Sequence, residues 1–221
     1  TENPIMNIDR QKINALISDP ALQETMGKIW ELLGLHFAQL QAMLPAEQAM
    51  ARREISFHDH VLLLGYLCHL IENLPGDIVE IGVWKGKSLA LMIEVCNHQR
   101  RIIGIDPFAL PNQLNEFLHY KNLLLSNTKI IIGFSELCDE SFYSLSPKVA
   151  LLHIDGGHNG RNVLLDFLLY SPSVVPGGFI VFDDYSDTKY SPEVGPAVDL
   201  LRAAGYFNDF IIIGCVHRFE N

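Results

Sequence analysis

Four residues in the second half of the chain have the types and spacing to do chemistry. Asp155 and His158 close the run Val149-Ala-Leu-Leu-His-Ile-Asp155-Gly-Gly-His158, and Asp183-Asp184 follow Phe179-Ile-Val-Phe. Both acids stand at the end of a short apolar run, where an α/β protein opens its ligand crevice. Three carboxylates at one rim repel one another unless something positive lies between them. Hard oxygen donors suit Mg²⁺ or Ca²⁺, with water or substrate filling the other positions. The plainer reading of Asp183-Asp184 is a turn cap helped by Tyr185. His158 titrates near neutral pH and could serve as a general base, although a loop histidine is often only a polar surface group.

An earlier stretch is built to hold a ligand. Residues 77–91 read D-I-V-E-I-G-V-W-K-G-K-S-L-A-L, an apolar strand carrying Glu80, a turn bounded by Gly82 and Gly86, and a helix opening near Lys87-Ser88. The free N–H groups of that helix face the same crevice. An acid at the strand end suits ligand hydroxyls or a cationic amine better than a pyrophosphate. Arg101-Ile-Ile-Gly-Ile-Asp106 is a second strand ending in an acid. In a doubly wound sheet that carboxylate sits beside the ribose of a ligand held over the first turn. Phe134 and Ser135, after the third strand, could line an adenine pocket.

Alternating periodicity supplies the frame for these residues. Strands are expected at 78–81, 101–106, 129–133, 149–155, 179–183, 210–214 and 216–219, with Gly177-Gly178 opening the fifth. Helices are expected at 61–74, 88–97, 117–125, 162–169 and 195–204. This order predicts an α/β, Rossmann-like doubly wound, mostly parallel sheet. Residues 61–221 form that domain. Residues 1–60 read as a helical N-terminal extension, with Met26, Trp30 and Phe37 as core or interface anchors, serving as a lid or a homo-oligomer contact. His58-Asp59-His60 reads as a helix start or as solvent-facing histidines rather than a metal cluster, because adjacent residues on a helix point apart.

The 221-residue composition narrows the function classes. A formal net charge of −10 argues against a phosphate-backbone partner, so no nucleic acid is expected. Cys68, Cys96, Cys138 and Cys215 show no C-x-x-C pairing and read as reduced thiols. No apolar run approaches a membrane span, and no leader pattern opens the chain, so a cytoplasmic protein is the expectation.

Four motifs in order carry a family resemblance. E-I-G-V-W-K-G at 80–86, G-I-D-P-F at 104–108, I-D-G-G-H at 154–158 and P-G-G-F-I-V-F-D-D-Y at 176–185 together resemble class I S-adenosylmethionine-dependent methyltransferases. More narrowly, they are similar to the macrocin O-methyltransferase group, which methylates sugar hydroxyls. The resemblance implies a seven-stranded sheet with its last strand antiparallel. It implies that Glu80, Gly82, Val83, Trp84, Gly86 and Ser88 surround the methionine moiety of S-adenosylmethionine. Asp106 would bind its ribose, and Ser135 and Asp155 would complete the cofactor site. Asp155, Asp183 and Asp184 would be the ligands of a divalent metal. Apart from the resemblance, the metal is expected to be Mg²⁺, and His158 or Asp155 could take the proton of a small-molecule hydroxylated acceptor.

Two rivals remain open. A nicotinamide-dependent oxidoreductase would prefer G-x-G-x-x-G at the first turn, where this chain has Val83, Trp84 and Lys85 between two glycines. A non-catalytic cofactor-binding or assembly module would keep the same fold.

Overall fold

The computed structural model describes Pro20 and residues 59–96, 99–124, 127–145 and 147–207. The expected N-terminal extension (apart from Pro20, Asp59 and His60) and the two expected C-terminal strands lie outside these residues. The described elements run α1 (Asp59–Leu70), β1 (Asp77–Ile81), α2 (Lys87–Val95), β2 (Ile102–Asp106), α3 (Gln113–Leu124), β3 (Thr128–Ile132), α4 (Asp139–Ser144), β4 (Val149–Ile154), α5 (Gly160–Tyr170), β5 (Val174–Phe182) and α6 (Val194–Ala203). Single-turn 3₁₀ segments at Ser135–Leu137 and Ser171–Ser173 precede α4 and β5. The five strands are parallel in the order β3-β2-β1-β4-β5. Strand order therefore reverses between β1 and β4, the place where such sheets open a ligand crevice.

Every residue of β1, β2 and β4 is buried, as expected for parallel strands covered on both faces. Side chains alternate between two cores. Ile78, Ile102 and Leu151 join α1, α2 and Phe117 of α3 on one face, and Val79, Ile103 and Leu152 join Phe142 of α4, Phe167 and Tyr170 of α5 and Leu201 of α6 on the other. By this alternation Glu80, Asp106, His153 and Asp155 all fall on the face of the sheet that carries α2.

Two arginines fasten the bottom of the sheet. Arg100 caps the chain entering β1, its guanidinium donating to the carbonyls of Ile71 at 2.8 Å, Leu74 at 2.9 Å and Gly76. Arg101 makes a two-pronged bond to Asp77, at 3.0 and 2.6 Å. At the opposite rim the ladder runs one residue past the strands. The N–H of Gly82 donates to Ile105, that of Asp155 to Ile81, and that of Asp183 to Ile154, at 2.9, 2.8 and 3.0 Å. The ends of β1, β2, β4 and β5 are thereby level.

Element boundaries shift from the sequence expectation at three places. The fifth strand begins at Val174, and Gly177-Gly178 lies inside it. Val149 pairs with Val174 but Leu151 with Phe179, so the stretch between bulges out. A Cβ on Gly178 would lie 2.8 Å from the carbonyl of Ala150, which explains the glycine there. The first helix is described from Asp59, the residues just before it lying outside the described ones, and it ends at Leu70 rather than Leu74. The six-residue α4 was not anticipated, being too short to show a helical period.

Candidate active site

The first turn packs directly on the end of β4. Gly82 adopts φ +89°, and a Cβ there would lie 1.8 Å from the carbonyl oxygen of Asp155. No side chain fits between these two chain segments. Trp84 also has positive φ, 51°, and its side chain is exposed. The turn is fastened from outside by a Lys85–Glu116 ion pair at 3.0 Å.

Asp106 organises this turn. One carboxylate oxygen accepts the N–H groups of Val83 and Trp84, both at 2.9 Å. The other accepts the Phe108 N–H at 2.6 Å and the Gln113 side-chain amide at 3.2 Å. A carboxylate has about four acceptor positions, so all of them are engaged. A ribose hydroxyl reaching Asp106 must exchange with one of these donors, and Gln113 holds the longest bond.

Glu80 is fully buried. Its Oε1 accepts the Ser88 hydroxyl and meets His153 Nδ1 at 2.9 Å, while Oε2 has no partner. The pairing follows from register, since Glu80 and His153 are direct neighbours across β1 and β4. Burial would lower the basicity of the His153 ring. The Glu80 hydrogen bond and the charges of Glu80, Asp155 and Asp183 outweigh it and raise the pKa to about 9. Burial pushes Asp155 up to about 7, opposed by a His158 hydrogen bond and helped by the charge of Asp183.

The three aspartates expected to share one ion divide into two clusters. A ring nitrogen of His153 and oxygens of Asp155 and Asp183 lie within 4.8 Å of one another, as do ligand atoms of Asp155, His158 and Asp184. Asp183 and Asp184 do not fall together in either cluster, and Asp184 takes a positive φ of 58°. Either donor set, carboxylate oxygens with imidazole nitrogen, fits a divalent cation.

His158 stands at the mouth between two acids. Its Nε2 is 3.6 Å from Asp155 Oδ1 and its Nδ1 is 3.4 Å from Asp184 Oδ2. Ser191, whose side chain is buried, bridges the same pair, donating to Asp184 at 2.7 Å and lying 3.0 Å from His158 Nδ1. The neighbouring Asp155 carboxylate, with the charges of Asp184 and Asp183, raises the His158 pKa above its ordinary value against the effect of burial.

Ser135 is fixed from behind by α5. Its hydroxyl donates to Asp166 and its carbonyl accepts the Tyr170 hydroxyl at 2.6 Å. Asp166 is wholly buried, its second oxygen has no partner, and burial raises its pKa to about 7.

The sequence reading missed His153, Gln113, Asp166 and Ser191. His153 carried a usable signal, being a polar residue in a buried strand two positions before Asp155. Asp166 carried a weaker one, as a charge on the apolar side of its helix. Ser191 carried none.

Comparison with known proteins agrees with this geometry. The family model for a methyltransferase domain matches residues 79–185, from β1 through the Asp183-Asp184 pair to Tyr185. An uncharacterized protein, R132, of Acanthamoeba polyphaga mimivirus is 37% identical over 173 residues, which span 72% of this chain and 76% of that protein. The 8-demethyl-8-(2,3-dimethoxy-alpha-L-rhamnosyl)-tetracenomycin-C 4'-O-methyltransferase of Streptomyces olivaceus is 25% identical over 147 residues, spanning 53% of this chain and 56% of the enzyme. Among solved structures, CalS11, a TDP-rhamnose 3'-O-methyltransferase of calicheamicin biosynthesis, matches with a TM-score of 0.56 at 19% identity, covering 92% of this chain and 86% of that one. The O-methyltransferase TomG of Streptomyces achromogenes, solved with S-adenosylmethionine, matches with a TM-score of 0.54 at 12% identity over 77% and 83% of the two chains. The fold is Rossmann-like with five parallel strands described, and the chain belongs to the methyltransferase-domain family.

Proposed function

We propose that the chain is an S-adenosylmethionine-dependent O-methyltransferase that methylates a hydroxyl of a sugar or related small-molecule natural product, assisted by a divalent cation such as Mg²⁺. The observation that carries this reading is His158, set between Asp155 and Asp184, with the Asp155 backbone packed against the glycine turn. The rhamnose-directed names of two relatives support a sugar acceptor.

The sulfonium already activates the methyl group, so the protein must align an acceptor oxygen behind it and exclude water. Alignment of this kind supplies up to roughly 7–11 kcal/mol in favourable systems. In this reading the Gly82–Gly86 turn, with Glu80, Val83, Trp84 and Ser88 around it, receives the methionine moiety. Asp106 takes the ribose hydroxyls in exchange for the Gln113 amide, and Ser135 borders the adenine. Asp184 and Ser191 steady Nδ1 of His158, so that Nε2 faces the acceptor. The acceptor oxygen bonds to the methyl carbon as the carbon–sulfur bond breaks, His158 receives the hydroxyl proton, and the demethylated thioether leaves. Asp155, with Asp183 and Asp184, would hold a divalent cation, which would supply Lewis acidity and ease loss of the acceptor's hydroxyl proton.

The test is transfer of labelled methyl from S-adenosylmethionine to nucleotide-linked deoxysugars and to glycosylated aromatic acceptors, each with Mg²⁺ and with EDTA. Labelled methyl ether formed only in the presence of the cofactor supports the reading. Cofactor binding with no transfer to any hydroxylated acceptor favours the non-catalytic module instead.

A further inference from the structure

The two clusters at the rim differ in how their atoms are satisfied. In the outer one, Ser191 joins Asp184 and His158 through bonds of 2.7 and 3.0 Å, so those groups serve one another. In the inner one, the His153 side chain is 1% exposed, Nδ1 is held by Glu80 at 2.9 Å, and Nε2 has no hydrogen-bond partner. A buried polar atom left unsatisfied costs about 1–3 kcal/mol. This one belongs to a ring whose ligand nitrogen lies within 4.8 Å of oxygens from Asp155 and Asp183. A buried imidazole with one nitrogen fixed by a carboxylate and the other unpaired beside two acids is the arrangement metal-ligating histidines adopt, with the carboxylate orienting the ring.

We propose that the divalent cation of this protein occupies the inner position, bound by Nε2 of His153 together with Asp155 and Asp183, with Glu80 as the positioning residue of the ring. The inference rests on the metal-assisted reading above and changes its ligand set. Asp184, His158 and Ser191 are left to the acceptor. An imidazole donor in place of a third carboxylate also changes the metal. Nitrogen ligation suits Mn²⁺, Co²⁺ or Zn²⁺ better than Mg²⁺, which prefers an all-oxygen shell.

The experiment is a titration of the full chain with Mn²⁺ alone, followed by electron paramagnetic resonance, with pulsed spectra recorded for nitrogen coupling. One bound Mn²⁺ showing imidazole nitrogen coupling is expected in the wild type, and the coupling should survive in His158→Gln. It should vanish in His153→Gln, with Mn²⁺ affinity weakened at least about ten-fold, and Glu80→Gln should weaken affinity about 10–100-fold while retaining the coupling. If His153→Gln does not fold, coupling in both the wild type and His158→Gln still points to His153, the other imidazole at the rim among the described residues. Absence of nitrogen coupling in the wild type, its loss in His158→Gln, unchanged affinity in His153→Gln, or no Mn²⁺ bound each overturns the proposal. S-adenosylmethionine binding measured in EDTA separates the two claims. Retained binding without an inner metal refutes only this inference, and absent binding refutes the methyltransferase reading as well.

Discussion

Replacing Gly82 with Ala tests whether the crevice is built on direct backbone contact. The structure supplies a matched control, because Gly82 has φ +89° and Gly205 has φ +82°. Alanine in left-handed backbone costs roughly 1–2 kcal/mol at either site. The surroundings differ. At Gly205 nothing lies within 4 Å of the new Cβ, whereas at Gly82 it would lie 1.8 Å from the Asp155 carbonyl oxygen, 2.4 Å from its carbon and 2.8 Å from the Gly156 nitrogen. Real Cβ contacts essentially never fall below 3.0 Å, so β1 and β4 must part by over 1 Å. Their ends carry the ladder bond from Asp155 N–H to Ile81. Backbone strain with loss of that contact places Gly82→Ala in the class of severe single substitutions, about 4 kcal/mol or more. Gly205→Ala should lose only about 1 kcal/mol. Urea denaturation of both variants measures the difference, and cofactor binding should fail in Gly82→Ala alone. Equal destabilisation within about 0.5 kcal/mol would show that the turn does not rest on β4.

Four further outcomes follow from the site. His158→Ala should lower kcat about 10²–10⁴-fold while leaving cofactor affinity within a few-fold, as stopped assays and calorimetry would show. The wild-type rate should rise with pH through a midpoint higher than that of an ordinary histidine, because the neighbouring carboxylates raise the His158 pKa. Asp166 has a folded pKa near 7 against 3.8 in the unfolded chain, so the folded state holds the extra proton between these values. Stability contributed by this group is present below about pH 4 and is lost as pH rises through 7, by about 4 kcal/mol in full. Asp166→Asn should remove that slope from a pH series of urea midpoints, and an unchanged slope would contradict it. Asp106→Asn should weaken S-adenosylmethionine binding at least ten-fold if the residue that holds the first turn also takes the ribose as proposed. Unchanged affinity would reduce Asp106 to a scaffold role.

The sequence showed the rim of the site more clearly than its interior. Glu80, Asp106, Asp155 and Asp183 were readable because each ends or nearly ends an apolar run, and strand order places those ends together. The glycine turn was readable from Gly82 and Gly86 at its boundaries. His153 was hidden because its partner, Glu80, is 73 residues away and register is not written in either strand alone. The division of Asp183 and Asp184 between two clusters is not written in their adjacency, and the φ of 58° at Asp184 is one that no spacing rule predicts for a non-glycine residue. The full engagement of Asp106 depends on Gln113 at the start of α3, a contact formed only once β2 and that helix are in place. Gly177-Gly178 read as a strand opening because a bulge inside a strand leaves the same local signature.

The most direct test of the central claim is calorimetric titration of the protein with S-adenosylmethionine and with its demethylated product, in Mg²⁺ and in EDTA, beside an NADH control. The account predicts micromolar binding of both thioether-series ligands and none of NADH. Absence of S-adenosylmethionine binding in both conditions would contradict it, and so would binding of NADH in its place.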